Sequence, residues 1–425
     1  MTPAAASTEA TGRASANYKW FVAAMLFSAA ALNYGDRTAM TAVFPLLKRD
    51  LGMSDLLLGA TGTVFLWSYA IVSPFAGFLG DRISRTRLLT ISLGSWSLVM
   101  TLSGFAASAA QLLWLRVALG LAEAGYIPAA TALIADHHGP ATRAKAIGIH
   151  LAGFSFGMVG GGWLAGYLGD SLGWRPSFFI LGACGLVLTG VCALFLRDAP
   201  AEASGADVVE KQSMGAAIRS LARIPTFLIL TFELVCSGTV NWIFINWLPL
   251  FFKETFTLSL AMAGLYGTLW IQGGRVLGFL VGGGPSDAAA RRHSRHRMLI
   301  MVITYVLAAP VLLTFSHSRN FVLIASAIFV YNLLVGFGYV NAQPLLCELL
   351  PVRLRSTAVG IMNMSACFAG GAGILAAGWL KSDYGLAHSF SSLSVVVFGI
   401  AGVLLAAYFT VLPRDLERAR ATGVS

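Results

Sequence analysis

Four charged side chains sit where the surrounding sequence is almost entirely apolar. Asp36 and Arg37 are adjacent in LNYGDRTAM (32–40), between WFVAAMLFSAAA and TAVFPLL. Arg116 and Glu123 stand seven residues apart in LRVALGLAEAGYIPA (115–129), a spacing that puts them two turns apart on one helical face. An ionised side chain in hydrocarbon is costly by a few kcal/mol at least, so such groups face a protein interior, pair, or change protonation. Two chemistries follow. The guanidinium groups of Arg37 and Arg116 stay charged at any accessible pH and can grip a carboxylate with two N–H groups. Asp36 and Glu123 can take up protons, because burial disfavours the charged acid. Protonating an acid frees its arginine, which then attracts an anion. The plainer alternative is a fixed ionic network tying two helices together, although buried pairs are weak stabilisers beside apolar packing.

Further polar residues interrupt apolar chain in the second half: Glu233, Asn241, Gln272, Arg275, Asn332, Asn341, Gln343 and Asn363. Arg275 lies in LYGTLWIQGGRVLGFLVGG (265–283); it can add a second anion contact or pair with Glu233 as structural glue. His150 can relay protons or pack as a neutral, hydrogen-bonded ring. The five cysteines all lie in apolar stretches without metal-ligand spacing and read as small buried hydrophobes. No HExxH, GxSxG, P-loop or CxxC pattern occurs, so no enzymatic centre, metal or cofactor is expected. GGAG at 370–373 follows no strand and is no dinucleotide fingerprint.

The elements that must hold these groups are membrane helices. Hydrophobic residues make up 57% of the 425 and charged residues only 11%, against about a quarter charged in soluble domains. A helix crosses a bilayer in roughly 20 residues. Candidate spans lie near 20–47, 56–80, 88–108, 111–135, 146–169 and 176–196, then near 225–252, 259–284, 298–316, 321–347, 357–380 and 389–412. The reading is therefore an all-α membrane protein of twelve spans in two six-helix bundles, 20–196 and 224–412. A tail (1–19), a linker (197–223) and a second tail (413–425) flank them. The first span is longer than a signal-peptide core and has no convincing cleavage site, so it is read as retained.

Basic residues accumulate on the cytoplasmic side. With both termini inside, only Lys48, Arg49, Arg175, Lys253, Arg319 and Lys381 fall in outside loops, and Arg37, Arg116 and Arg275 fall within spans. The remaining 20 of the 29 lie inside. This asymmetry accounts for much of the net charge of +10 without nucleic-acid binding. The cluster RRHSRHR (291–297) reads as a topogenic loop against anionic lipid. Short loops and compact length suggest a bacterial inner membrane; a monomer is expected.

The halves repeat each other. FPLLKRDLGMSDLLLGATGT (44–63) aligns with LPLFFKETFTLSLAMAGLYGT (248–268), GFLGD (77–81) with GGPSD (283–287), and RAKAIGI (143–149) with RSTAVGI (355–361). Parallel repeats place a binding site at the repeat interface near the bilayer midplane. Gly153, Gly157 and Gly161, then Gly162 and Gly166, recur every fourth residue, a spacing that permits close helix contact.

GFLGDRISRTR (77–87) resembles the signature loop of the major facilitator superfamily between its second and third helices. In that resemblance Gly77 allows close packing, Asp81 meets a neighbouring helix end, and Arg82, Arg85 and Arg87 stay cytoplasmic; Asp287 is the counterpart of Asp81, although a proline intrudes before it. Within the superfamily, NYGDR, LWSYA (66–70), LRVALGLAEAGYIPA, NWLPLFF (246–252) and GIMNMSACFAGG (360–371) resemble the anion:cation symporters, which include hexuronate, galactonate and glucarate importers and sialin. That resemblance implies proton sites at Asp36 and Glu123, and substrate contact at Arg37 and Arg116. It also implies a cavity lined by Tyr34 and Tyr69, with Asn363 as the second-half contact; Gln272 and Arg275 join them as candidate substrate residues. The implied activity is proton-gradient-driven symport of a sugar acid or related carboxylate. GLAEAG also resembles the spinster-type lipid transporters, so an exporter of amphipathic molecules stands as the alternative.

Overall fold

The computed structural model describes residues 3–80, 83–198 and 214–421; Asp81, Arg82 and most of the linker lie outside these. Helices α1 (Pro3–Ala42), α2 (Phe44–Asp50), α3 (Asp55–Gly80), α4 (Arg85–Ser103), α5 (Ala109–Glu123), α6 (Tyr126–His137), α7 (Pro140–Leu172) and α8 (Arg175–Phe195) make up the first half. The second half holds α9 (Met214–Ala222), α10 (Pro225–Phe256), α11 (Leu260–Arg292), α12 (His296–Val311), α13 (Thr314–His317) and α14 (Phe321–Tyr339). It ends with α15 (Ala342–Leu349), α16 (Val352–Thr410) and α17 (Leu412–Ala421). Among the described residues there is no strand.

Each expected span finds its helix. The first six coincide with α1–α2, α3, α4, α5–α6, α7 and α8, the others with α10, α11, α12–α13, α14–α15 and the two limbs of α16. Gly385, at φ 71° and ψ 162°, breaks α16 into those limbs. Eight of the described helical stretches are long and apolar enough to cross a membrane on composition alone; α1, α4 and α11 are not among them. Two of these carry charges in mid-span, Asp36 and Arg37 in α1 and Arg275 in α11, and α4 is rich in serine. Polar side chains lower a helix's hydropathy where a protein interior, not lipid, receives them. Large apolar side chains such as Phe75, Trp114, Leu194, Leu280 and Phe409 are by contrast exposed, as suits a lipid-facing surface.

Two compact units emerge, one of Met1–Leu51 and Ser68–Asp207, the other of Gly52–Trp67 and Val208–Ser425; α3 contributes its first turns to the second unit and its remainder to the first. In the first unit α1 packs along α7 through glycines. A Cβ built on Gly157 would lie 2.0 Å from the Ala31 carbonyl oxygen, and one on Gly161 would lie 2.4 Å from Gly35 Cα. Only glycine lets the backbones approach this closely, and the approach fixes the height and rotation of Asp36 and Arg37 on α1. In the second unit Gly274 and Gly278 of α11 meet the Phe329 and Leu333 carbonyls of α14 in the same manner.

The repeat is written into side-chain contacts as well. Arg143 donates to the carbonyls of His138 (3.1 Å) and Ala135 (3.0 Å), and Arg355 donates to those of Leu350 (3.0 Å) and Cys347 (2.7 Å). Arg85 pairs with Asp136, and Arg297 pairs with Glu348 at 3.3 Å. Every partner in one half is offset by 212 from its partner in the other, within the offsets of the sequence repeat.

Candidate functional site

The charged residues of α1 and α5 come together in the first unit. Arg37 donates to one oxygen of Glu123, from Nη2 at 2.7 Å and from Nε at 3.1 Å, and Nη2 also donates to Asn33 Oδ1 at 3.2 Å. The guanidinium lies 4.5 Å from the centroid of the Tyr34 ring and 5.5 Å from that of Tyr69, where the ring faces attract a cation. Tyr34 in turn rests on Phe154 of α7, with ring centroids 4.5 Å apart. Asp36 lies within electrostatic reach of Arg116, Arg37 and Glu123. None of the four charged side chains is more than 6% exposed.

Local sequence explains the arrangement. Asn33 sits one turn before Arg37 on the same face of α1 and orients its guanidinium. Helix α5 ends at Glu123, the chain passes Ala124 and Gly125, and α6 starts at Tyr126 with Pro128 in its first turn. The acid therefore stands at the junction of α5 and α6, where Ala124 and Gly125 keep helical backbone angles. In the second half a junction falls between α14 and α15, where Asn341 and Pro344 stand 216 residues after Gly125 and Pro128.

The hydrogen bonding is incomplete on the acids. Oδ1 of Asp36 and Oε1 of Glu123 are buried with no hydrogen-bond partner. Two buried carboxyls facing two arginines, each acid with an acceptor oxygen in reserve, can hold protons and exchange an internal anion for an external one. The constellation contains no nucleophile paired with a base. Among the described residues no group of three or more His, Cys, Asp or Glu is placed to hold a metal ion.

Other expected site residues fall in both units. Arg275 is half-buried and donates to Asn332 Oδ1 at 3.4 Å; it is not the partner of Glu233, which bonds Tyr305 and Ser237. Gln272 is buried one turn before it, and Asn363 is exposed on α16. Gly77 lies within the last turns of α3, while Asp81 and Arg82 lie outside the described residues. Asp287, near the end of α11, accepts from Arg297 at 3.0 Å. His150 is buried with Nδ1 3.2 Å from the Leu26 carbonyl, next to the Tyr126 ring. It does not touch the four charged groups through any of these contacts.

Three features were not singled out in the sequence. Asn33 belongs to NYGDR, and its distance of one turn from Arg37 is a cue that can be read. Tyr305 offers none, since a tyrosine in an apolar helix looks like core. Lys381, read only as a loop cation, joins Asp55 (2.9 Å) and Glu254 (2.8 Å) in the second unit.

Comparison with known proteins agrees with this architecture. The family model described as Major Facilitator Superfamily matches residues 26–374 and 268–424. A probable sulfoacetate transporter of Cupriavidus necator is 26% identical over 399 residues, covering 89% of this chain and 91% of that protein. An MFS-type efflux pump of Mycolicibacterium smegmatis is 30% identical over 319 residues, with 73% of each chain covered. A probable galactarate/D-glucarate transporter of Escherichia coli is 24% identical over 432 residues, covering 94% and 96%. Among solved structures, a bacterial homologue of the human lysosomal transporter spinster superposes with a TM-score of 0.79 at 21% identity, covering 95% of this chain and 98% of that one. With helices, repeat and family model in agreement, this chain belongs to the Major Facilitator Superfamily, a multi-pass membrane transporter and not an enzyme.

Proposed function

We propose that this transporter carries a small organic anion together with a proton by alternating access, and that the anion is a sugar acid such as a hexuronate or aldonate, or a related carboxylate. The observation that carries the reading is the buried Arg37–Glu123 pair with Asp36 and Arg116 beside it. In the empty site Glu123 holds Arg37. A proton delivered to Glu123 or Asp36 removes an anionic competitor, and the released guanidinium binds a substrate carboxylate through two N–H groups. Loss of the proton on the other side of the membrane restores the internal pair and expels the anion. The names of the sulfoacetate and galactarate/D-glucarate relatives agree with an anionic cargo.

Tyr34 and Tyr69 offer phenol groups to sugar hydroxyls, and Arg275, Gln272 and Asn363 are proposed as further substrate contacts. Gly77, Asp81, Arg82 and Asp287 serve the conformational change. The protein works as a monomer in a bacterial inner membrane with both termini cytoplasmic, and it needs no cofactor beyond the proton gradient.

Uptake of radiolabelled hexuronates, aldonates and aldarates into proteoliposomes tests the proposal. An inward proton gradient is expected to drive accumulation of at least one of these anions. Uptake indifferent to the gradient counts against symport. The 30% identity to an efflux pump favours a second reading, proton-driven export of an amphipathic molecule. In that case the sugar acids are not taken up, and an apolar dye is driven out against the gradient instead.

A further inference from the structure

A further buried acid lies in the second unit, and the mechanism above leaves it without a task. Glu233 is 1% exposed, in the apolar run FLILTFELVCSGTV of α10. Both of its hydrogen bonds arrive at a single oxygen, Oε1. One comes from the phenol of Tyr305 on α12, the other from the Ser237 hydroxyl one turn further along α10, at 3.2 Å. Its second oxygen, Oε2, is buried with no partner.

The groups around it are equally uneven. Cys236 neighbours it on α10. Tyr331, on α14, is within electrostatic reach of both Glu233 and Arg275, and Arg275 itself hydrogen-bonds Asn332. Helix α16 also packs along α10, but among the described residues it places no titratable side chain on Glu233. No cation is bonded to the carboxyl among the described residues. Offsets of 204 to 212 put its counterpart in the first half between Phe21 and Ala29, well before Asp36, so it is no copy of the α1 acid.

A carboxylate so enclosed, with no cation on it, is costly by several kcal/mol, and a proton removes that charge. The bonding fits a neutral acid: Oε1 acts as the carbonyl oxygen that two hydroxyls can address, and Oε2 carries the hydrogen. With no acceptor for that hydrogen, the proton is held by burial alone, and any motion that admits water or separates α10 from α12 releases it. A solute cannot reach an oxygen this deep, whereas a proton needs no cavity. We infer that Glu233 is a further proton-binding site, seated in the second unit, that loads and unloads during the transport cycle. The inference rests on the proton-coupled reading above and adds a proton to its stoichiometry.

Two measurements on the full-length protein separate the inference from that reading. Infrared difference spectra of the purified protein between acid and alkaline pH, with no solute present, are expected to show a protonated-carboxyl band. The component of that band due to Glu233 should vanish in Glu233→Gln and move in Tyr305→Phe, while the components from Asp36 and Glu123 stay. In proteoliposomes, reversal-potential measurements with radiolabelled glucuronate, or whichever tested sugar acid is taken up, should show Glu233→Gln moving one proton fewer per anion than the wild type.

If Glu233→Gln removes no pH-dependent band, the site is overturned. A band that vanishes while the proton-to-anion ratio stays unchanged makes Glu233 a structural acid and overturns its part in coupling. Wild-type uptake that ignores the proton gradient defeats the symport reading itself and the coupling role with it; the spectra still report whether Glu233 binds a proton. Should Glu233→Gln not fold, Glu233→Asp and Tyr305→Phe take its place: the band must shift in both, and an unmoved band overturns the site.

Discussion

Asp36 and Glu123 are both enclosed and both hold an oxygen in reserve, yet their partners differ. Glu123 is gripped by Arg37 through two N–H groups, whereas Asp36 stands in the field of two arginines and another acid. In the proposed cycle each acid must change charge, and a neutral amide of the same shape cannot. Asp36→Asn and Glu123→Gln are therefore expected to lower gradient-driven uptake by about tenfold or more, equivalent to at least ~1.4 kcal/mol. Substrate exchange at equal pH on both sides, which needs no net proton movement, should survive far better. Measuring both activities in the same proteoliposomes checks this, and an equal loss of the two would remove these acids as proton sites. Truncating Arg37 is a harsher change, because it leaves Glu123 buried without its cation.

Helices position these groups through their backbones before any side chain acts. Gly157 and Gly161 let α1 settle onto α7, and a methyl group at either would collide with α1 backbone atoms. Gly157→Ala should destabilise the protein by about 1–3 kcal/mol and depress transport by displacing Arg37. Gly160→Ala, on the same helix with nothing within 4 Å of its would-be Cβ, should leave both melting temperature and uptake unchanged. An equal effect at the two sites would mean that helix propensity, not the α1–α7 contact, is at work.

A different element is held from outside the membrane. Asp198, just beyond α8, accepts from the Thr86 backbone N–H in the first turn of α4 at 2.9 Å. Burial pushes its carboxyl upward, but hydrogen bonds from Ser84 and Thr86 and the nearby Arg85 outweigh it and hold the group below the ordinary aspartate range. A folded-state pKa lowered in this way adds stability above the unfolded value, and that stability is lost as pH falls through the folded one. The melting-temperature gap between wild type and Asp198→Asn should accordingly be widest near neutrality and close on acidification. A gap independent of pH would exclude the charge as its cause.

On the scale of the whole molecule, duplication is the organising fact. Arg143 and Arg355 each close the end of a two-helix span by donating to carbonyls five and eight residues back. Lysine lacks the planar fork that makes both bonds together, so Arg143→Lys and Arg355→Lys should each lower thermal stability, and by similar amounts. Thermal-shift measurements on the two single variants compare the halves directly; a loss confined to one half would show that the duplicated contact has kept its structural role only there. Chemistry has diverged more than architecture. The first unit joins two acids to two arginines, whereas the second separates Glu233 from Arg275 and surrounds the acid with hydroxyls.

Much of this was legible in the residues alone. Long apolar runs have only one way to satisfy their backbone polar groups in lipid, the helix, so the spans could be counted from composition and charge. The repeat followed from RAKAIGI and RSTAVGI, and the close α1–α7 contact from the spacing of Gly153, Gly157 and Gly161. Seven residues between Arg116 and Glu123 put both on one face of α5, but sequence distance says nothing about which acid meets which base across helices. That Arg37, 86 positions away, takes Glu123, and that Tyr305 rather than Arg275 takes Glu233, was decided by tertiary structure. The physical reason is that helix periodicity acts along the chain, whereas these partners are chosen by interhelical distance, and that distance is set by glycine contacts and junctions within the spans which many pairings of the same charges would satisfy equally well.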